Sequence, residues 1–205
     1  MNAKADQKQR THESILDSAA NLLRERGIGG TRVADVMKGA NLTVGGFYAH
    51  FDSKEALVEE TLRRTTAELR AHLFTRIEEK PAADRAIVLL KRYLSSAHRD
   101  GHDMGCPFPA VVGEIGTTEN AYRTALSDCL DTLAKDIAAV MPESVRATRR
   151  RTYSLGIVAL MYGGLALSRA VVGTKLSDEI LTAARAVGIL ALRELSNEAN
   201  EGEQS

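Results

Sequence analysis

The sequence predicts an all-α protein. Apolar residues recur at three- and four-residue spacing in almost every segment, and no segment shows convincing strand alternation. Hydrophobic residues make up 44% of the 205-residue chain, enough material for a packed core.

Taken in order, the first ten residues are polar and charged and read as a frayed tail. Ile15, Leu16, Ala19, Ala20, Leu22 and Leu23 then mark one face of a first helix, which Gly27 stops and Gly29-Gly30 separates from the next. Thr31 is placed to cap a second helix whose apolar side is Val33, Val36 and Met37, with Asp35 near its N-terminus. Gly39 to Asn41 break it, and Thr43 is placed to cap a short helix over Val44–Ala49. Asp52 or Ser53 caps a fourth helix from Lys54 to about Glu79, with Leu57, Val58, Leu62, Leu69 and Leu73 as its stripe; Pro81 ends it. Helical tracts follow at roughly 83–98, 107–114, 118–141, 142–172 and 177–195, the last capped by Ser177. The final residues, 196–205, read as a polar, mobile end.

Two short helices joined by a tight turn, behind a supporting helix, fit a helix-turn-helix at residues 31–51. The second is too short to be stable alone. Phe47 and Phe51 are placed to anchor it, with Val44, Gly45, Tyr48 and Ala49 outward. Gly45 and Gly46 cost helix stability but leave a slim surface that can approach a phosphate or base edge. Composition alone leaves open a loose, glycine-bearing turn.

Charge does not decide the matter. The 27 basic and 27 acidic residues cancel, so DNA binding has to rest on the motif and a local patch. Cys106 and Cys129 are too few for a disulfide scaffold. The N-terminus lacks the apolar stretch of a signal peptide, and the most apolar region, 153–172, is interrupted by glycines and Arg169. A cytoplasmic protein with no membrane partner is expected. No glycine-rich phosphate loop, HExxH or GxSxG motif is present, so no enzyme and no cofactor are expected. His98, His102, Asp103 and Cys106 match no strong zinc spacing, and no metal is expected. The run Arg146, Arg149, Arg150 and Arg151 fits either a solvated face or ion-pair partners.

The stretch 31–57, TRVADVMKGANLTVGGFYAHFDSKEAL, resembles the DNA-binding core of the TetR/AcrR family of transcriptional regulators. Its most specific part is Phe-Tyr-x-x-Phe at 47–51 followed by Ser53-Lys54-Glu55-Ala56-Leu57. The resemblance implies a domain at 1–55 that binds a palindromic double-stranded operator. In it Thr31 would cap the second helix and touch a phosphate, and Arg32 would reach the backbone or a groove edge. Thr43 would cap the recognition helix and bind phosphate, while Val44 and Gly45 lie in the major groove. Tyr48, His50 and Lys54 would meet phosphates. Two positions depart from the pattern: Asn41 stands where glycine is usual, in a turn that Asn tolerates, and Met37 where alanine is usual.

For residues 56–205 the resemblance implies a helical domain for ligand sensing and homodimerisation. Gly156, Leu160, Gly163, Leu167, Ala183, Val187 and Leu190 would form the two-fold interface, although the same residues fit a monomer core. Tyr93, Cys106, Phe108, Tyr122, Leu126, Met161 and Tyr162 would line a pocket for a small, partly apolar organic effector, or serve as plain core. The expected function is a repressor released from its operator by that ligand. The alternatives are an activator, or a regulator that senses oxidants or electrophiles through Cys106 in the Gly101–Pro109 segment, although that thiol fits a buried, packed loop better.

Overall fold

The structure is a computed structural model and describes residues 3–101, 106–117 and 122–202. The described residues form nine α-helices and a 3-10 helix, with no strand among them, so the all-α expectation holds. In order these are α1 (Ala3–Gly30), α2 (Val33–Gly39), the 3-10 helix Val44–Ala49 and α3 (Lys54–Leu73). Then come α4 (Ala82–Tyr93), α5 (Ser96–Asp100), α6 (Phe108–Thr117), α7 (Arg123–Val140), α8 (Ala147–Ala170) and α9 (Lys175–Gly202). Among the described residues no helix is long and apolar enough to cross a membrane.

The chain divides into two compact units: Met1–Glu68 with Cys106–Cys129, and Leu69–Gly105 with Leu130–Ser205. Two of the three divisions fall inside α3 and α7.

In the first unit, α1 begins at Ala3 and not after a frayed tail. Bonds one turn apart hold this polar start: Gln9 Nε2 donates to Glu13 Oε1 at 2.6 Å, and Thr11 Oγ1 to the Gln7 carbonyl at 3.0 Å. The regular helix stops at Gly27, where φ is 65°, a left-handed value that strains any residue with a side chain. The freed amides are taken by α6. Ile28 N donates to Glu114 Oε1 at 2.9 Å and Gly29 N to Glu114 Oε2 at 2.7 Å. Lys54 Nζ, at the start of α3, donates to the Ile28 carbonyl at 2.7 Å. A β-carbon on Gly27 would run into the Glu114 carboxylate. One small residue thus lets a charged pair of bonds form between α1 and α6.

In the second unit, four expected boundaries move. The helix that starts at Lys54 ends at Leu73, short of Glu79. Arg92 donates to the Leu73 carbonyl and, at 2.9 Å, to that of Thr75, which satisfies and charges the helix end. The tract expected at 83–98 breaks after Tyr93, because Ser95 Oγ accepts from His98 N at 3.1 Å and caps a new helix. Ser177 lies inside α9 and does not cap it. It is buried and exchanges bonds with the end of α8: Ser168 Oγ donates to the Ser177 carbonyl at 2.9 Å, and Ser177 Oγ to the Ser168 carbonyl at 2.7 Å. The C-terminal residues 196–202, expected to be mobile, continue α9. Gly164 lets α8 approach its neighbours closely; a β-carbon there would lie 3.0 Å from Leu94 Cδ2 and 3.1 Å from Ala184 Cβ.

Gly27→Ala is expected to destabilise the protein by about 2.5–5 kcal/mol. The left-handed backbone costs ~1–2 kcal/mol with a side chain, and displacing Glu114 loses hydrogen bonds to a charged group worth ~1.5–3 kcal/mol. Chemical denaturation checks it, and an unchanged midpoint would contradict it.

Candidate nucleic-acid interface

The site is built on a small apolar cluster. Ile15, Leu16 and Ala19 of α1, Val36 and Met37 of α2, and Phe47, Phe51 and Leu57 are buried together. Ser18 Oγ donates to the Val36 carbonyl at 2.8 Å, tying α2 to α1. Phe47 and Phe51 anchor the short element as their spacing predicts, with ring centroids 5.8 Å apart. Burying a phenylalanine side chain stabilises by roughly 1.5–3 kcal/mol, which offsets the poor intrinsic stability of a six-residue 3-10 helix holding two glycines.

The turn is fixed by Asn41, which is left-handed with φ 60°. Leu42 N donates to the Met37 carbonyl at 2.8 Å and Asn41 N to that of Lys38 at 3.0 Å. This pair of bonds is a Schellman ending, and it aims the chain from α2 into the 3-10 helix. Gly45 and Gly46 differ in role. A β-carbon on Gly46 would meet Met37 Cε at 3.7 Å, so that glycine faces the core and the larger Met37 fills the space beside it. A β-carbon on Gly45 would meet nothing within 4 Å, so that position opens to solvent. In a 3-10 helix residues three apart eclipse, which leaves Gly45 clear beside Tyr48.

The expected DNA contacts divide in two. Arg32, Thr43, Val44, Gly45 and Tyr48 are exposed, Val44 to 49% and Tyr48 to 74%. Large apolar and aromatic side chains so exposed on a rigid element present contact surface. Thr43 occupies the N-cap position of the 3-10 helix without a side-chain capping bond. Thr31 does not cap α2: the N-cap is Arg32, and the buried Thr31 hydroxyl donates to the Gly27 carbonyl at 2.6 Å. Lys54 is turned to the Ile28 carbonyl, and Ser53 caps α3, its Oγ accepting from Ala56 N at 3.1 Å. His50 is half-buried.

Sequence reasoning missed His12. Its ring stacks on Phe51 at 4.6 Å and lies 5.7 Å from His50, while its Nε2 sits 2.6 Å from Glu60 Oε1. The available signal was its place three residues before Ile15, on the helix face that turns inward. Burial, then the nearby His12 and Lys8, hold His50 below the usual histidine range. Glu114 was also missed, because nothing local marks a carboxylate that serves amides 85 residues away.

The expected pocket residues are distributed over both units. Tyr93, Met161 and Tyr162 belong to the second, all buried, with the tyrosine rings 5.7 Å apart. Cys106, Phe108 and Tyr122, buried, and Leu126, half-buried, belong to the first. Burial pushes the Tyr122 phenol up, and Glu55, Glu59 and Glu114 add to the shift. Residues 102–105, including His102 and Asp103, lie outside the described residues. Of the expected interface, Gly156, Gly163, Leu167, Ala183, Val187 and Leu190 are exposed on α8 and α9. Leu160 is half-buried at the α9 residue Gly188. In the basic run, Arg151 donates to Asp131 Oδ1 at 2.6 Å, an ion pair rather than a free cation.

The profile of the family described as "Bacterial regulatory proteins, tetR family" matches residues 15–61. Among curated proteins, the chain is similar to the HTH-type transcriptional repressor KstR2 of Rhodococcus jostii, 49% identical over 49 residues. That alignment covers 24% of this chain and 24% of the repressor. An uncharacterised HTH-type regulator of Lactococcus lactis is 28% identical over 62% of this chain and 66% of its own length. Among solved structures, a TetR-family regulator from Rhodococcus sp. has a TM-score of 0.74 at 20% identity, covering 91% of this chain and 98% of that one. This last likeness is one of fold.

Asn41→Val is expected to destabilise by ~1–2 kcal/mol, the cost of a branched residue in the left-handed region, whereas Asn41→Gly is expected to be tolerated; thermal unfolding compares them. For His50 the folded value lies below the ordinary one, so the unfolded chain takes up its proton first as pH falls. The associated stability is present above about pH 6.5 and is lost below it. His50→Gln should therefore gain on the wild type when denaturation midpoints are compared at about pH 7.5 and about pH 5.5. A pH-independent gap would contradict this.

Proposed function

We propose that the chain, whose residues 15–61 match the TetR family of bacterial regulatory proteins, is a transcriptional repressor that acts as a homodimer on a palindromic DNA operator and is released by a small organic ligand. The observation that carries this reading is the exposed set Arg32, Thr43, Val44, Gly45 and Tyr48 on a helix-turn-helix anchored by buried phenylalanines. Arg32, Thr43 and Tyr48 supply hydrogen-bond donors to phosphates, and Val44 and Gly45 give close apolar contact with base edges in the major groove. Thr31, His50 and Lys54 are then supports of that surface, with Lys54 ordering the end of α1. Residues 1–55 carry the DNA contact, and residues 56–205 sense and dimerise. The protein acts in the cytoplasm.

A two-fold partner is favoured by the outward faces of α8 and α9. Leu167, Val187 and Leu190 are 60%, 61% and 69% exposed, beside the small Gly156, Gly163 and Ala183. Small residues with branched neighbours suit close helix packing, and so much apolar surface is costly to leave in water. Two copies present two recognition elements, which accounts for a palindromic site. The effector is small and at least partly apolar, with Tyr93, Met161 and Tyr162 as contacts in the second unit. It acts by binding one arrangement of the dimer better than another, and α3 transmits the difference.

The test is recovery of genomic fragments with the full-length protein, followed by protection mapping. A palindromic protected site is expected, and failure to enrich any fragment sinks the reading. Tyr48→Ala should weaken binding to all recovered fragments, whereas Val44→Ala should change their ranking. Val187→Glu with Leu190→Glu should give a monomer by sedimentation, with operator affinity lost. If saturating compound leaves affinity unchanged for every member of a chemical panel, release by ligand fails.

A further inference from the structure

The start of α1 is a helix without a core. Its first buried residue is Ile15, so more than three turns precede any apolar anchor, and most of their side chains are exposed. A polar helical segment standing in water is marginal by itself, and one that is polar all round is held by pairs one turn apart or by a partner. The composition there is biased in a chain whose charges otherwise cancel: residues 3–10 hold Lys4, Lys8 and Arg10 against Asp6 alone.

The arrangement is more specific than the count. Lys4, Lys8 and His12 follow one another at four-residue spacing, so they lie along one helix face. That face ends at the docking surface. His12 lies against Phe51 and 5.7 Å from His50, two residues from Tyr48, and Lys8 is close enough to His50 to act on its charge. At 1.5 Å per residue, Lys4 and Lys8 are about 6 Å apart along the axis, a separation that allows each to meet a different phosphate. Charge complementarity and continuity with the recognition element point to a single occupant.

We propose that the Lys4–Lys8 stripe of α1 is a second contact with the operator duplex, binding backbone phosphates that flank those met by the recognition helix. His12 is a positioning residue. It joins the stripe to the docking surface through Phe51, and Glu60 holds its ring. The contact adds affinity and salt dependence without reading bases. This inference rests on the DNA-binding reading above.

The test is the salt dependence of binding to a mixed-sequence duplex and to a fragment recovered with the wild-type protein. Each lost phosphate contact lowers the slope of log K against log salt by about 0.9. Lys4→Gln with Lys8→Gln should therefore reduce it by about 1.8 for each bound subunit, with the ranking of fragments unchanged. Lys4→Arg with Lys8→Arg should keep the wild-type slope, and so should Lys135→Gln with Lys175→Gln, which removes two exposed charges from the other unit. Glutamine and lysine have similar helix propensity, and circular dichroism verifies that the helix remains. A wild-type slope in the Lys4/Lys8 glutamine variant overturns the stripe while the repressor reading stands. If the wild type binds neither duplex, both fall.

Discussion

The burial of Phe47 and Phe51 is the constraint on which the docking surface depends. A six-residue 3-10 helix has few internal hydrogen bonds and no stability of its own in water. It exists because two rings on one side enter a cluster already formed by α1 and α2. Once those rings are fixed, the remaining positions have no freedom: Gly46 turns to Met37, and Gly45 and Tyr48 turn to solvent. The contact surface is therefore as rigid as the core beneath it, which suits an element that must fit a groove.

A second layer of constraint is polar. Gly27 ends α1 in a left-handed turn, and the exposed amides that follow are claimed by Glu114 while Lys54 claims the carbonyl between them. Anion and cation meet the same short segment from α6 and α3. In this arrangement the Lys54 ammonium donates to the protein's own backbone at Ile28. It also makes α6 part of the same compact unit as the helix-turn-helix, although it lies far along the chain.

Much of this was legible in the sequence where the cause is local. Helical spacing, the stop at Gly27, the tolerance of Asn41 for the left-handed region, the Ser53 cap and the inward phenylalanines all depend on residues a few positions apart. Helix ends set by distant partners were not legible. Arg92 terminates the helix that starts at Lys54, and Ser177 is drawn into α9 by Ser168. Thr31 has the chemistry of a cap but sits one residue early, so its hydroxyl turns back to Gly27.

The helix-turn-helix, its anchors and its slim outward surface were thus determined by the sequence itself, because period, propensity and turn chemistry act over a few residues. Only the tertiary structure decided which polar side chains remain available at that surface. It placed His12 against Phe51, turned Thr31 and Lys54 toward backbone carbonyls and committed Glu114 to the end of α1. Those outcomes follow from burial, which forces a polar group to bond with whatever the fold brings within reach, and sequence separation does not limit that reach.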